Sequence, residues 1–400
     1  MSQTIVILGA GFAGLPLAHR LLKTTLPKTG LKVVLVSPNS HFLWNVAAPR
    51  GVIPGEIPEE DLFIPIAPTF EKYTADEFEF VLGAAESIEP KQNSVHVRLS
   101  GDGSSDFVAG EQPGTDGAAY SLVYDHLVIA TGSRLISGLP LKPLGTHEVT
   151  LARWRDLQSQ IEAAKSIVIA GGGPTGVEVA GELAAKYGSG KGITLVENSD
   201  CVLYDAMPAV RTAAEKDLAK LGVKLVYNNR ATLGGQVDND DPDDAGRKVI
   251  QLSNGGSLIA DLFLPLYGVV VNTSFVPSQF LDWEGNLKLQ PDMRVVGADN
   301  IWGIGDVGNL DPKQLIVLDA QIVHLQTALE AVVTGSGDAQ PYQPGQKQIR
   351  LFSMGRRHAT GHYGNWKMPG FVVSLIKGRK LFVDYAPGYA SGRALIGAPL

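Results

Sequence analysis

The sequence predicts an α/β protein: two Rossmann-like three-layer units, the second inserted into the first, with an α+β region after them. Three observations predict it. A short apolar run, Ile5-Val6-Ile7-Leu8, enters a glycine-rich turn and then a helical pattern. The same module begins again at Ser166-Ile167-Val168-Ile169-Ala170. Far downstream, Asn300-Ile301-Trp302-Gly303-Ile304-Gly305-Asp306 returns the chain to the first unit.

The run at 5–8 has no polar alternation, the mark of a strand buried on both faces. Gly9-Ala10-Gly11-Phe12-Ala13-Gly14 follows, then an apolar helix through Leu17, Leu21 and Leu22, then a returning strand at Val33-Val34-Leu35-Val36. Residues 44–68 are rich in Pro and Gly, which predicts irregular chain rather than helix. Residues 100–119 read as an exposed hairpin loop, and Leu127-Val128-Ile129-Ala130 as a strand ending in Thr131-Gly132. After the Pro- and Gly-containing stretch 138–145, the repeat supplies a strand at 166–170, a turn at 171–176, a helix over 177–187 and a strand at 193–196. The acidic stretch 237–244 is a second solvated hairpin loop, and strand 262–266 ends at Tyr267-Gly268. A helix runs from about 313 to 333, and 345–390 is an apolar and basic region of strands with a short helix. The first unit thus takes 1–145 and 273–340, the inserted unit 146–272, and the C-terminal region 341–400.

Composition bounds the function. The 400 residues are 44% hydrophobic and 19% charged, with a net charge of -7. Nothing forms the concentrated basic surface that nucleic acid demands, so that partner is excluded. One cysteine, Cys201, allows neither an internal disulfide nor a dithiol relay nor a cysteine-rich metal site, and no metal is expected. Met1-Ser2-Gln3-Thr4 leads straight into a strand, which argues against a signal peptide, and Ser2 against myristoylation. No apolar run approaches the roughly 18–20 residues that span a bilayer. A cytoplasmic monomer or homodimer is expected.

The first glycine motif has a strand before it, a helix after it and a returning strand about 20 residues on, the context that gives such a motif its meaning. Gly9 makes the tight turn, Gly11 lets the backbone reach a pyrophosphate, and Gly14 lets helix and sheet pack closely. The acid expected after the second strand is missing: Ser37-Pro38-Asn39 stands there, and Ser37 or Asn39 can bond a ribose hydroxyl more weakly. In the second motif, Gly171-Gly172-Gly173-Pro174-Thr175-Gly176, Pro174 sits near the first helical position, where its missing N–H matters least. Glu197 closes the next strand, placed to accept from both hydroxyls of an adenosine ribose. It repels a 2′-phosphate, and Asn198-Ser199 brings no Arg to offset it, so NADH is favoured over NADPH. Glu178, in the first turn of that helix, is either a dipole-favoured surface residue or a contact beside the nicotinamide ribose. Asp306 emerges beside the first loop, where a carboxylate binds the ribityl hydroxyls of FAD or caps a helix.

Together, 9–14, Ala130-Thr131-Gly132, 171–176 and Gly303-Ile304-Gly305-Asp306 resemble the two-dinucleotide flavoproteins. Four stretches look most like the apoptosis-inducing-factor-like branch that includes the ferroptosis suppressor, with type II NADH dehydrogenases as cousins. They are Asn45-Val46-Ala47-Ala48-Pro49-Arg50, Asp311-Pro312-Lys313, Leu351-Phe352-Ser353-Met354-Gly355-Arg356 and Lys377-Gly378-Arg379-Lys380-Leu381-Phe382. The resemblance implies that Arg50 lies along FAD, that Ala85 meets its adenine through the backbone, and that Thr131 and Gly132 close over the flavin nucleotide. It implies Lys313, Gln314 and Leu315 near the pyrimidine edge of the flavin, Gly268 beside the nicotinamide, and Lys377 in the wall of an acceptor pocket. Of these, Lys313, Lys377 and Glu178 are the candidates for a catalytic role. The chain departs from the family at Ser37, and has neither an N-terminal Gly for a lipid nor a long C-terminal amphipathic helix. Stable membrane insertion is therefore not expected; peripheral contact stays open.

The leading expectation is an enzyme that moves hydride from NADH to FAD and then electrons to a quinone-like or aromatic small molecule. A flavin-dependent oxidase that couples phenols is an alternative, with the aromatic C-terminal segment framing its pocket. An NADH-sensing interaction protein is another. His358 and His362 read as surface residues, with protonation of an acceptor as their alternative role; His324 reads as packed or solvated, Trp302 and Trp366 as core rather than stacking platforms, and Cys201 as inert.

Overall fold

The computed structural model describes residues 3–100, 119–236, 246–344 and 349–395. The loops predicted at 100–119 and 237–244 fall almost wholly outside these residues. The first sheet has seven strands. Its spatial order is Ile301–Gly303, His126–Ile129, Thr4–Leu8, Lys32–Ser37, Phe78–Glu89, Ser94–Leu99 and Ala119–Val123. The first five are mutually parallel, and the last two extend the sheet antiparallel. Its central strands, Thr4–Leu8, Lys32–Ser37 and His126–Ile129, are buried on both faces, as their unbroken apolar runs require. Ile5, Ile7, Val33, Leu35 and Val128 point into one core, and Val6, Leu8, Val34, Val36, Leu127 and Ile129 into another.

A second sheet lies between two strands of the first in chain order. It pairs Lys224–Val226, Gly192–Val196, Ser166–Ala170 and Leu262–Pro265 in parallel. Its Ile167, Ile169, Leu195 and Leu264 share one continuous core with Ile5 and Ile7 of the first sheet. Where the chain crosses between the sheets, Ser133–Leu135 pairs antiparallel with Val269–Val271. Gly268 stands at this crossing with a φ of +74°, and a Cβ there would come within 2.6 Å of Ile136.

One stretch departs from its expected structure. The stretch 44–68 holds single helical turns at Asn45–Ala47, Ala48–Gly51 and Glu59–Leu62, and a strand pair, His41–Leu43 with Phe63–Pro65. Pro49 sits in the first turn of its helix, where the ring is tolerated, so Pro there begins structure rather than breaking it. The helix Leu315–Thr334 is long and apolar enough to cross a membrane by length and composition. It is nonetheless a core helix, burying Leu318, Ile322, Leu325 and Leu329 in the shared core.

The C-terminal residues form an antiparallel sheet of Ile349–Ser353, Ala359–Tyr363 and Trp366–Met368, followed by short helices. They close onto the first unit. The Tyr389 hydroxyl donates to the Phe12 carbonyl at 2.8 Å, the Trp44 indole N–H donates to the Leu381 carbonyl at 3.1 Å, and these rings pack with Phe42. Trp302 is core as expected, but Trp366 is exposed, and His362 is buried rather than on the surface. Trp366 ends up outside because it lies on the outermost strand of this small sheet.

Candidate functional site

The two glycine loops have the same geometry. Gly9 and Gly171 take φ of +104° and +109°, conformations open chiefly to glycine. A Cβ on Gly14 would overlap the Gly9 carbonyl oxygen, and one on Gly176 the Gly171 carbonyl oxygen. A Cβ on Gly11 or Gly173 would meet nothing within 4 Å. The first and third positions are thus closed by the protein itself. The second fronts open space on the side where a ligand backbone approach is needed, which is the fit a pyrophosphate requires.

Around the first loop runs a cleft lined by Gly9, Ala10, Gly11, Phe12, Ala13, Ser37, Asn39, Ala85, Thr131, Gly132, Asp306, Lys313, Gln314 and Leu315. Gly14 lies beneath it. The Lys32–Ser37 strand stops at the pairing of Ser37 with Leu82, and 83–85 continue past it along the cleft. The Ser37 hydroxyl is engaged by its own loop, bonded to the Asn39 carbonyl at 2.9 Å and accepting the Asn39 N–H at 3.1 Å. Asn39 is the better donor: its Oδ1 accepts the His41 N–H at 2.9 Å, while its buried Nδ2 has no hydrogen-bond partner among the described residues. A buried amide left unpaired costs about 1–3 kcal/mol, and this nitrogen suits a bound acceptor such as a ribose hydroxyl. The residues fit FAD.

Asp306 organises the other end. Its Oδ2 accepts from the Ser133 hydroxyl at 2.5 Å and from Lys142 Nζ at 2.9 Å. Burial pushes its pKa up, but the Lys142 charge, hydrogen bonds from Ser133 and Lys142, and the Lys313 charge together hold it below the usual carboxylate value. Lys313 Nζ donates to the Asp306 carbonyl and to Asn286 Oδ1, both at 2.7 Å. Burial lowers its pKa against the opposing pull of Asp306, Glu284 and Asp282. Gln314 is the residue at which the Leu315–Thr334 helix begins. Asn272 ties down the strap at 131–132, its Nδ2 donating to the Thr131 carbonyl at 2.9 Å and its N–H to the Gly132 carbonyl at 2.9 Å.

Sequence reasoning missed Lys142, Ser133, Asn272 and His41, all of which line this cleft. Lys142 sits between Leu141 and Pro143 in what reads as a connector, and no local signal marks it. His41 stacks on His147, ring centroids 3.6 Å apart.

Arg50 does not line the cleft. Its guanidinium bonds Glu182 twice, at 2.8 and 2.9 Å, and turns toward the C-terminal carbonyls of Gly378 and Arg379. The reason is electrostatic: a buried guanidinium goes where a buried carboxylate waits. Glu178 is buried too, which removes its surface reading. Its Oε1 accepts from Lys377 Nζ at 2.5 Å and from the Ser353 N–H at 3.1 Å, and Lys377 also donates to the Leu351 carbonyl at 3.0 Å. This pair joins the helix Pro174–Tyr187 to the C-terminal region, and neither residue is among those lining the cleft. Tyr363, Trp366 and Phe371 are exposed and frame no pocket around the first loop.

At the second loop, Pro174 begins the helix and Thr175 lies half-buried in its first turn. Glu197 Oε2 accepts the Gly172 N–H at 2.5 Å, and its Oε1 accepts from the Ser199 N–H and hydroxyl at 2.9 and 2.7 Å. Cys201 is not isolated, since Arg211 Nη1 lies 3.4 Å from its sulfur.

Two loops of one geometry, each following a parallel strand of its own sheet, the two sheets sharing a core, define a two-dinucleotide flavoprotein oxidoreductase. A family model, pyridine nucleotide-disulphide oxidoreductase, matches residues 3–335, and the chain belongs to that family. It is an FAD-dependent NAD(P)H oxidoreductase. The sequence holds a single cysteine, Cys201, and so has no internal pair for the disulphide of the family's name. Oxidoreductase ptaL of Pestalotiopsis fici is 40% identical over 396 residues, 98% of this chain and 99% of its own. Ferroptosis suppressor protein 1 of Homo sapiens is 26% identical over 389 residues, 95% of this chain and 94% of its own. The fold matches the sulfide:quinone oxidoreductase of Aquifex aeolicus with a TM-score of 0.73 at 17% identity, over 98% of this chain and 92% of the other. It matches NDH2 from Plasmodium falciparum in complex with NADH with a TM-score of 0.66 at 14% identity, over 99% and 100%.

Proposed function

We propose that the protein takes hydride from NADH onto FAD and passes electrons to a quinone-like or aromatic small molecule. The observation that carries this is the pairing of two equivalent loops with different partners: Asp306, Lys142 and Lys313 at the first, Glu197 at the second. Bound at the first loop, FAD supplies the electron-transfer chemistry, and the protein supplies orientation and electrostatics. Asn39 donates to the adenosine ribose, Asp306 accepts from the ribityl chain, and Lys313 at the start of the Leu315–Thr334 helix stabilises negative charge there. Glu197 accepts from the adenosine ribose of NADH, and its charge disfavours a 2′-phosphate.

Glu178 and Lys377 serve the acceptor side in this reading. Lys377 sits on the buried side of the turn Ser374–Gly378, whose neighbours Leu375 and Ile376 are exposed together with Phe371. An apolar surface leading to a buried Lys–Glu pair suits a flat molecule with carbonyl oxygens. The same surface, beside Arg379 and Lys380, suits peripheral contact with a membrane; the cytoplasm is the proposed place of the protein.

Anaerobic rapid mixing of the holoprotein with NADH tests the first half. Loss of the oxidised-flavin absorbance is expected; an unchanged spectrum removes the proposal. Steady-state NADH turnover with ubiquinone analogues and oxygen as competing acceptors tests the second half, with the quinones expected to be fastest. Oxygen uptake with a simple phenol as electron donor and no NADH would favour the phenol-oxidising alternative instead.

A further inference from the structure

Glu197 is less of a barrier to a 2′-phosphate than its position in the chain implies. A carboxylate has about four lone-pair positions, and the chain itself fills three here, through Gly172 N–H and both donors of Ser199. The acid is drawn toward its own backbone, and those donors offset part of its charge.

A cation from another segment reaches the next residue, Asn198. The loop at 227–230 is zipped along the end of Glu197's strand, with the Asn229 N–H on the Glu197 carbonyl at 3.1 Å and the Asn228 N–H on the Ser199 carbonyl at 3.0 Å. Arg230 is fixed at its backbone by reciprocal bonds to Ser253, at 3.0 Å in each direction. Its side chain is exposed, and Nε donates to Asn198 Oδ1 at 3.2 Å. Asp200 is the exposed acid of the same loop. Arg211, the other nearby guanidinium, is turned onto the loop itself, with Nε on the Ala206 carbonyl at 2.8 Å.

We propose that Arg230 is a dinucleotide-specificity residue, through which this site takes NADPH as a second hydride donor alongside NADH. The inference rests on the reading that the second loop holds the nicotinamide dinucleotide. A guanidinium offers a planar fork that matches phosphate oxygens, and it is always charged. One held on the residue after the ribose-binding acid is within a side chain's reach of a 2′-phosphate bound there. NADH has no group for it there, so Arg230 affects one donor and not the other.

Flavin reduction in the holoprotein, followed by rapid mixing over a range of NADH and NADPH concentrations, tests this. The wild type is expected to be reduced by both. Arg230→Ala should weaken NADPH by about tenfold or more while NADH changes less than about twofold, and Arg230→Lys should recover part of the loss. Competition with 2′,5′-ADP against 5′-AMP gives a second readout: the wild type should prefer 2′,5′-ADP more strongly than Arg230→Ala does. A wild type inert to NADPH, or an Arg230→Ala whose response to NADPH and 2′,5′-ADP is unchanged, overturns the assignment. Failure of both nucleotides to reduce the flavin would instead count against the function proposed above, and the competition would still judge Arg230.

Discussion

Arg50 and Glu182 form a two-pronged ion pair, Nε to Oε2 at 2.8 Å and Nη2 to Oε1 at 2.9 Å, with 2% and 4% of their side chains exposed. The same guanidinium holds the Gly378 carbonyl at 2.6 Å and the Arg379 carbonyl at 3.0 Å. One side chain thereby joins the first unit, the helix of the second loop and the C-terminal region. Arg50→Met strands a buried carboxylate and should cost about 3–5 kcal/mol in urea unfolding. Arg50→Met with Glu182→Met should recover most of it. A single variant as stable as wild type would contradict this account.

The glycines of the first loop should fail in different ways. Gly9→Ala forces a side chain into a φ of +104° and brings Cβ to 2.5 Å from the Ala130 carbonyl oxygen, so the protein should be poorly folded. Gly11→Val places its Cβ in open space, so the chain should fold, keeping its circular dichroism and melting temperature as apoprotein. It should purify without flavin, because the branched side chain occupies the path of the pyrophosphate. Normal flavin content in Gly11→Val would sink this assignment.

Asp306→Asn removes the charge shared by Lys142 and Lys313 and leaves two cations facing the cleft. FAD affinity, measured by fluorescence titration of apoprotein, should fall by about tenfold or more. An unchanged affinity would show that Asp306 serves the fold and not the cofactor.

His19 carries the acid sensitivity. It is buried, stacked on Phe70 at 3.9 Å and bonded to the Ala390 carbonyl at 3.0 Å. Burial lowers its pKa to about 4, a shift the Ala390 bond opposes and the Lys72 charge reinforces. Above its unfolded pKa of about 6.5 the ring is neutral in both states and contributes no pH dependence. As pH falls, the unfolded chain binds the proton first. Stability then drops until the folded ring titrates near 4. The loss at pH 5 should be about 2 kcal/mol relative to pH 7.5. His19→Gln should flatten that slope, and an equally steep profile in the variant would refute the assignment.

The parts of this protein legible in the sequence are those set by neighbours in the chain. Unbroken apolar runs gave away strands buried on both faces, and three glycines at fixed spacing gave away each loop, because strand burial and turn geometry depend on a few consecutive residues. The stretch 44–68 was harder, since proline reads as a breaker but also starts single helical turns. Lys142 was silent for a different reason: a lysine in a connector looks alike whether it faces solvent or Asp306.

The sequence by itself determined two dinucleotide folds, one inside the other, and the acid that ends the strand of the second. Only the tertiary structure decided which charges meet. Arg50 turned from the cleft to Glu182, Glu178 found Lys377, and Arg230 reached Asn198 from a separate strand connection. Local conformation is governed by propensities and periodicity along the chain. Ion pairs are governed by burial and distance in space, and a charge finds its partner only when the fold has brought the two segments together.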